Sequence, residues 1–354
     1  MIRLGIVGCN YGRIVHLPAF RVDARCEVVA IAGTDKARTG QIARESGIAK
    51  GYGDWRELVE DPQVAAVTIA TPPGLQTKIA IRALELGKPV FVEKPLAADL
   101  AAARTMLRQA ALSKLPTMID FNFPEITAWQ RAKQMIDAGA IGALRHVMVN
   151  WQVESRAIQM RMRNWKTLGD DGGGVLGNFI SHCFYYLEWF CGPIAGLSAR
   201  LSGLPDDKDG AVETTAALAF AFSSGAAGSL SMSCASYLGG GHRIEFYGDD
   251  GTLTLANPTL DYMRGFELHH AKRPTAALEA IAVPDPLATL YPDGRIAPVS
   301  RLAHRFLDAI EKKGTAAPGF AEGYRVQRMI DAARRSHDSG RWAEIGADKL
   351  ETVA

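Results

Sequence analysis

Leu4-Gly5-Ile6-Val7-Gly8-Cys9-Asn10-Tyr11-Gly12 decides the fold, because a short apolar strand runs into a glycine-bearing turn and an amphipathic helical pattern follows. That order is the context a dinucleotide fingerprint needs: helix N-terminal amides face the phosphates, and glycine lets the backbone come close. The letters depart from G-x-G-x-x-G. Asn10 stands at the second glycine, and the third is brought forward to Gly12, leaving Arg13 where it would otherwise fall. Asparagine tolerates positive φ better than most residues, so Asn10 is expected to hold the turn. The amides from Gly12 to Ile14 are expected at the phosphates.

Outward from this stretch, apolar runs alternate with helical patterns as far as Asn122. The runs are Leu4-Val7, Val28-Ala32, Val67-Ala70, Val90-Val92 and Thr117-Phe121, separated by helical segments such as Arg38-Ser46 and Gln76-Leu86. Continuous β-branched runs in this rhythm predict βαβ units around a parallel sheet covered on both faces. An acidic selector of the cofactor ribose belongs about 20 residues past the fingerprint, at the end of the second strand. There the chain reads Ala32-Gly33-Thr34-Asp35-Lys36-Ala37-Arg38. A strand ending at Ala32 puts Gly33 at the acidic position and leaves Thr34, Lys36 and Arg38 for a 2′-phosphate. A register two residues later makes Asp35 the ribose acceptor. The reading favours NADP slightly over NAD.

Thr71-Pro72-Pro73-Gly74 marks a turn at the carboxyl end of the third run, and Glu93-Lys94-Pro95 closes the fourth. Carboxyl ends of strands face the ligand crevice in doubly wound folds. A lysine there can hydrogen-bond a substrate oxygen and offset negative charge developing on it. A solvated lysine at a strand end has the same sequence.

After Phe123 the pattern changes. A helix over Ile126-Ala138 stops at Gly139, and alternating runs follow at Arg145-Gln152, Gly196-Ser202, Thr214-Phe222, Ala226-Cys234, Arg243-Gly248 and Thr252-Ala256. These predict a largely antiparallel sheet, with a hairpin turn at Gly248-Asp249-Asp250-Gly251. Helices are expected around Arg301-Lys312 and Glu322-Ser339, the latter packing back on the first domain, and Pro284-Pro298 reads as a mobile loop. Within this half, Gly172-Gly173-Gly174 opens a helix carrying Asn178 and His182, four residues apart and so on one face. The glycines are expected to let backbone approach a ligand. A neutral His182 can take a hydroxyl proton and return it. A hydrogen-bonded core histidine is the plainer alternative. Trp165, Lys166, Arg156, Arg161 and Arg163 suit either a substrate mouth or a solvated surface, and Asp170 and Asp171 read as loop or N-cap residues. His16, His146, His242, His269 and His270 show no convergent spacing with acids, and no metal site is expected.

A chain of 354 residues predicts two domains, at 1–122 and 123–354. With 40 basic against 38 acidic side chains, the net charge of +2 gives no argument for nucleic acid or a membrane surface, so a small molecule is the expected partner. The five cysteines are scattered and lack C-x-x-C spacing. Met1-Ile2-Arg3 leads directly into a strand, and no apolar run is long enough to span a membrane, so a cytoplasmic location is expected.

Taken together, these motifs resemble the Gfo/Idh/MocA oxidoreductases, the family of glucose-fructose oxidoreductase and inositol dehydrogenase. The resemblance rests on the Gly8 to Gly12 turn with His16-Leu17-Pro18-Ala19-Phe20, on Ala70-Thr71-Pro72-Pro73, on Glu93-Lys94-Pro95 and on Gly172 to His182, and Asp249-Asp250-Gly251-Thr252-Leu253 fits its late turn. It implies an α/β chain with an N-terminal Rossmann domain. The C-terminal α+β domain carries a large, mostly antiparallel open sheet that forms homodimers or homotetramers. It also implies a nicotinamide cofactor and a sugar, cyclitol or nucleotide-sugar substrate. Carried over by position, Lys94 becomes the contact to substrate and nicotinamide ribose, and His182 the acid/base. Asn178, Asn122, Trp165 and Tyr185 are expected at the substrate. The cofactor contacts implied are Gly8, Asn10, Tyr11, Gly12 and Arg13 in the first turn, then Gly33, Thr34, Asp35 and Arg38. Thr71, Pro72, Pro73, Gln76, Glu93 and Lys94 complete them. Three positions depart from the family pattern: Asn178 replaces its usual aspartate, Gln76 a frequent histidine and Tyr185 a frequent aspartate. Two competing expectations stand beside a dehydrogenase: a glycoside hydrolase assisted by bound NAD, and a dinucleotide-binding sensor without catalysis.

Overall fold

The computed structural model describes residues 1–203, 212–346 and 348, with the Asp170 side chain also outside the description. Two compact units emerge. Met1–Asn122, Arg295–Gln327 and Asp348 fall in one, and Phe123–Gly294 with residues 328–346 in the other.

In the first unit β1 (Ile2–Val7) leads through a single π-turn, Gly12–His16, into α1 (Leu17–Arg21). Then follow β2 (Cys26–Ala32), α2 (Lys36–Glu45), β3 (Lys50–Tyr52), α3 (Trp55–Glu60), β4 (Ala66–Ile69), α4 (Pro73–Glu85), β5 (Val90–Val92), α5 (Leu100–Ser113) and β6 (Thr117–Ile119). The six strands are parallel in the order β3-β2-β1-β4-β5-β6, so the order reverses between β1 and β4. Ligands bind at such a switch point, beyond the carboxyl ends of the strands. Strands β4 and β5 are buried throughout, as their apolar runs require.

The second unit opens with α6 (Thr127–Asp137), ended by Gly139 at φ 75° as expected of a left-handed helix stop. It continues with β7 (Leu144–Gln152), α7 (Arg156–Gln159), α8 (Ser181–Cys191), β8 (Ile194–Ser202), β9 (Thr215–Phe222), β10 (Ala227–Ser233), β11 (Gly241–Gly248), β12 (Gly251–Asn257), β13 (Glu267–Lys272), β14 (Glu279–Ile281) and α9 (Pro286–Thr289). The chain closes with α10 (Ile296–Lys312), α11 (Phe320–Ser339) and β15 (Ala343–Glu344). The nine strands run in the order β14-β13-β12-β11-β7-β10-β9-β8-β15. One pair, β7 with β10, is parallel, which makes the sheet mixed rather than wholly antiparallel. Its alternation is clean in β7, where Val147, Val149 and Trp151 are buried while Met148 and Asn150 are exposed.

Two expectations change here. Residues 295–327, read from sequence with the second domain, cluster with the first: Phe306 of α10 packs edge-on against Phe20 and Phe91, at 6.3 and 5.9 Å between centroids. Helix α11 begins in the same unit, with Gly323 against Leu96 and Ile119. Pro284-Pro298 is not an unstructured loop, since α9 and the first turn of α10 fall within it. No described helix is long and apolar enough to cross a membrane.

Candidate active site

Gly8 carries the strain of the first turn. Its φ is 120°, and a Cβ there would lie 2.3 Å from the Ala70 carbonyl oxygen, so only glycine lets β1 exit this close to the end of β4. At Gly12 a Cβ would meet Ile6 at 2.7 Å, which sets the approach of the helical turn to β1. Asn10 is exposed and is not among the residues with positive φ, so the turn is held by Gly8 and not by Asn10 as expected. The Ile14 N–H donates to the Asn10 carbonyl at 3.0 Å, which removes it from the expected phosphate-facing amides. Arg13 is exposed beside it.

The second strand ends at Ala32, which selects the register placing Gly33 at the acidic position. A Cβ at Gly33 would press on Thr39 Oγ1 and Cys9 Sγ, at 2.6 and 2.7 Å. Asp35 caps α2 by accepting a hydrogen bond from Arg38 N at 3.0 Å. Thr34, Lys36 and Arg38 are exposed.

At the carboxyl end of β4, Thr71 and Pro72 lead into α4, with Pro73 its first residue. Gln76, expected at the cofactor, is 1% exposed. Its Nε2 donates to the carbonyls of Glu93, Pro95 and Leu96 at 2.6, 3.1 and 3.1 Å, and its Oε1 accepts from Glu93 N at 3.0 Å. The carboxamide is therefore spent on the turn that carries Lys94. Lys94 itself is half-buried, just past β5 and before a cis bond to Pro95.

Glu93, expected at the cofactor, lies in a buried cluster of ionisable groups. Its Oε1 lies 2.9 Å from His16 Nε2, with Asp120 Oδ2 at 3.8 Å from the same nitrogen. His16 Nδ1 is 2.7 Å from Thr68 Oγ1, and the Tyr11 hydroxyl donates to Asp120 Oδ2 at 3.4 Å. Tyr11, read as a cofactor contact, thus joins this cluster, and the Arg295 guanidinium lies over its ring at 5.0 Å. No spacing in the sequence links His16 with acids, because His16, Glu93 and Asp120 meet only where the carboxyl ends of neighbouring parallel strands lie side by side. Burial alone would lower the His16 pKa, but the neighbouring Asp120 carboxylate and the hydrogen bond to Glu93 outweigh it and raise it to about 9. Burial, then the Glu93 charge, pushes the Asp120 carboxyl up to about 7. Glu93 is held below the usual range, because hydrogen bonding and charge attraction to His16 overcome its burial. The His16–Glu93 separation is that of a charge-assisted hydrogen bond, and Asp120 stands beside it at ion-pair distance. Beyond it, Asn122 is 3% exposed and its Oδ1 has no hydrogen-bond partner among the described residues.

In the second unit His182 is the second residue of α8, directly after a π-turn at Leu176–Ile180 that contains Asn178. It is 7% exposed, with the Phe123 ring edge-on at 4.9 Å. Tyr185 and Asn178 are half-buried. The glycines ahead of them have a role other than the one expected. A Cβ at Gly173 would strike the Trp165 and Leu168 carbonyls at 2.1 and 2.6 Å, and one at Gly174, with φ 82°, would strike the Glu213 carboxylate at 2.6 Å. They pack chain on chain. Trp165 is half-buried in a short 3-10 turn, Lys166 lies over its ring at 5.8 Å, and Arg156, Arg161 and Arg163 are exposed. The side chain of Asp170 lies outside the described residues. His242 is a core histidine: it stacks on Trp151 at 4.1 Å and meets the Tyr186 hydroxyl at 3.0 Å, and burial pushes it down to about 3.

Two family models match the chain. One is described as an oxidoreductase family with an NAD-binding Rossmann fold, over residues 2–121, and the other as a GFO/IDH/MocA C-terminal domain, over residues 129–254. An uncharacterised oxidoreductase of Synechocystis is 31% identical, covering 97% of this chain and 96% of its own. A levoglucosan dehydrogenase of Pseudarthrobacter phenanthrenivorans is 25% identical over 90% of this chain and 89% of its own. The crystal structure of an NAD-binding oxidoreductase from Klebsiella pneumoniae superposes with a TM-score of 0.85 at 26% identity, covering 98% of this chain and all of the other.

Proposed function

Because the chain belongs to the GFO/IDH/MocA oxidoreductase family, we propose that it interconverts a secondary alcohol and a ketone on a sugar, cyclitol or nucleotide-sugar-like substrate. The nicotinamide cofactor, when bound, supplies or accepts the hydride. The residues present fit such a group: the Gly8 turn has no room for a Cβ, and Asp120 Oδ1 and Asn122 Oδ1 are buried polar atoms without a hydrogen-bond partner among the described residues. Lys94 donates a hydrogen bond to the reacting substrate oxygen and stabilises negative charge on it. His182 takes the hydroxyl proton during oxidation and returns it during reduction. Asn178 orients the substrate, since an amide cannot carry that proton. The observation that carries the reading is the fixing of Lys94 at the carboxyl end of β5, beside β4 and the switch point, where this fold class binds its ligands. A sugar-like substrate is supported by the similarity to levoglucosan dehydrogenase.

NADP is the favoured cofactor in this proposal. Gly33 leaves no acid at the end of β2, the Asp35 carboxylate caps α2, and Thr34, Lys36 and Arg38 are exposed around that site. The partner is a second copy of the chain, docked on the open face of the nine-stranded sheet. On that face exposed Met148, Ala217, Ala219, Ala227 and Ser231 form a small uncharged patch, bordered by Arg200 and by the Arg243–Glu245 ion pair, which suits sheet-on-sheet packing with a charged rim.

The test is a screen of polyols and sugar acids with NADP and NAD supplied separately, read by absorbance of the reduced nicotinamide. At least one polyhydroxy substrate is expected to reduce NADP, at a higher kcat/KM than with NAD. Lys94→Ala and His182→Ala are expected to bind cofactor but turn over at least roughly a hundredfold more slowly. Near-normal rates in either variant would remove it from the mechanism.

A further inference from the structure

Gln76 departs from the family pattern in the cofactor half of the chain, and its surroundings give it a structural task. It lies in the first turn of α4, the helix that follows β4, yet all four hydrogen bonds of its carboxamide go to the turn after the neighbouring strand β5. Its shortest bond goes to the carbonyl just before Lys94, and the other two carbonyls lie just after it. The Glu93 carbonyl on one side is 2.6 Å from Nε2, and the Pro95 carbonyl on the other is 3.1 Å away. The Glu93 N–H is shared between Gln76 Oε1 and the Ile69 carbonyl, at 3.0 and 3.1 Å, which locks the same turn to the end of β4. Glu93 is fixed a second time through its side chain, by His16. With the backbone anchored on both sides, the Lys94 Cα–Cβ vector has little freedom. At 1% exposure the Gln76 side chain offers no surface to a ligand.

We propose that Gln76 is a positioning residue for Lys94: its carboxamide fixes the direction in which the lysine leaves the strand, and so acts on the reaction only through that lysine. The inference rests on the reading of Lys94 as the group that polarises the substrate oxygen. A side chain with the same reach but no hydrogen bonds would leave the Glu93, Pro95 and Leu96 carbonyls without their buried donor. The turn would then relax and carry the ammonium away from its productive place. Displacements near 1 Å in such a group cost about a hundredfold in rate. Glutamate at this position keeps the size and the acceptor for Glu93 N–H but turns an oxygen toward three carbonyls.

The experiment compares Gln76→Met and Gln76→Glu in the wild-type and Lys94→Ala backgrounds, with kcat, cofactor Kd and Tm measured on each holoenzyme. In the wild-type background Gln76→Met is expected to lower kcat roughly ten- to a hundredfold while the cofactor Kd stays near its original value. In the Lys94→Ala background the same substitution is expected to change the rate by no more than about twofold, because the residue it acts through is gone. An equal fold-loss in both backgrounds would overturn the inference, as would a loss seen mainly in cofactor Kd. Should Gln76→Met fail to fold, the Gln76→Glu pair reads the same contrast. A Lys94→Ala enzyme that runs at the wild-type rate overturns the reading of Lys94 itself, which separates the two failures.

Discussion

Gly8 and His16 show how differently two residues of one turn can be read. The need for glycine at position 8 was visible in the strand-turn-helix order, and the structure supplies the reason in a φ of 120° and an Ala70 oxygen with no space for a methyl group. Gly8→Ala is expected to cost about 1–3 kcal/mol through backbone strain, together with a weakened cofactor Kd. Thermal unfolding and fluorescence titration check both, and a Tm and Kd matching wild type would contradict the account. His16 was not legible, because no spacing links a residue after β1 with one after β5 and another after β6. Its folded pKa of about 9 lies above the ordinary 6.5, so its contribution to stability is complete below about pH 6.5 and lost as pH rises through about 9. Asp120, raised to about 7 by burial and the Glu93 charge, holds its proton longer in the folded state and has the same sign. The difference in unfolding free energy between wild type and His16→Gln is expected to narrow from pH 6.5 to pH 9 in urea titrations. A constant difference would show that the histidine is not charged in the folded protein.

At the scale of elements, strands were legible where composition was strong. Runs such as Val90-Phe91-Val92, built of β-branched and aromatic residues, are apolar and buried and keep their expected bounds. The missed strands lack that signal: Lys50-Gly51-Tyr52 is three residues long at a sheet edge, while Glu267–Lys272 and Glu279–Ile281 are polar strands at the margin of the second sheet. Helix α10 was found but assigned to the wrong unit, because an amphipathic pattern shows which face is buried and not against what. The open face of the second sheet was legible as alternation. Ala219 lies near the middle of β9 on that face. Ala219→Glu is expected to convert the proposed dimer to monomer without changing Tm by more than a few degrees, as judged by light scattering. An unaltered mass would place the interface elsewhere.

For the molecule as a whole, the order of motifs carried the fold and the family, and the family model over residues 2–121 agrees with the reading of the opening stretch. Of the candidate site, only some of the geometry was legible. Lys94 stands out in the sequence as a candidate from its place at a strand end, but the contacts around its turn, from Gln76 to the Glu93 backbone and from His16 to the Glu93 side chain, join neighbouring strand ends that no linear spacing records. The glycines at 172–174 signalled a close approach, and only coordinates could show that the approach is to the chain itself. The most direct test of the central claim is a single-turnover measurement of nicotinamide reduction by a polyhydroxy substrate in wild type, Lys94→Ala and His182→Ala, with cofactor prebound. The account predicts reduction in wild type and at least roughly a hundredfold slower reduction in both variants at unchanged cofactor occupancy. Wild-type rates in either variant, or no redox change with any polyol or sugar tried, would contradict it.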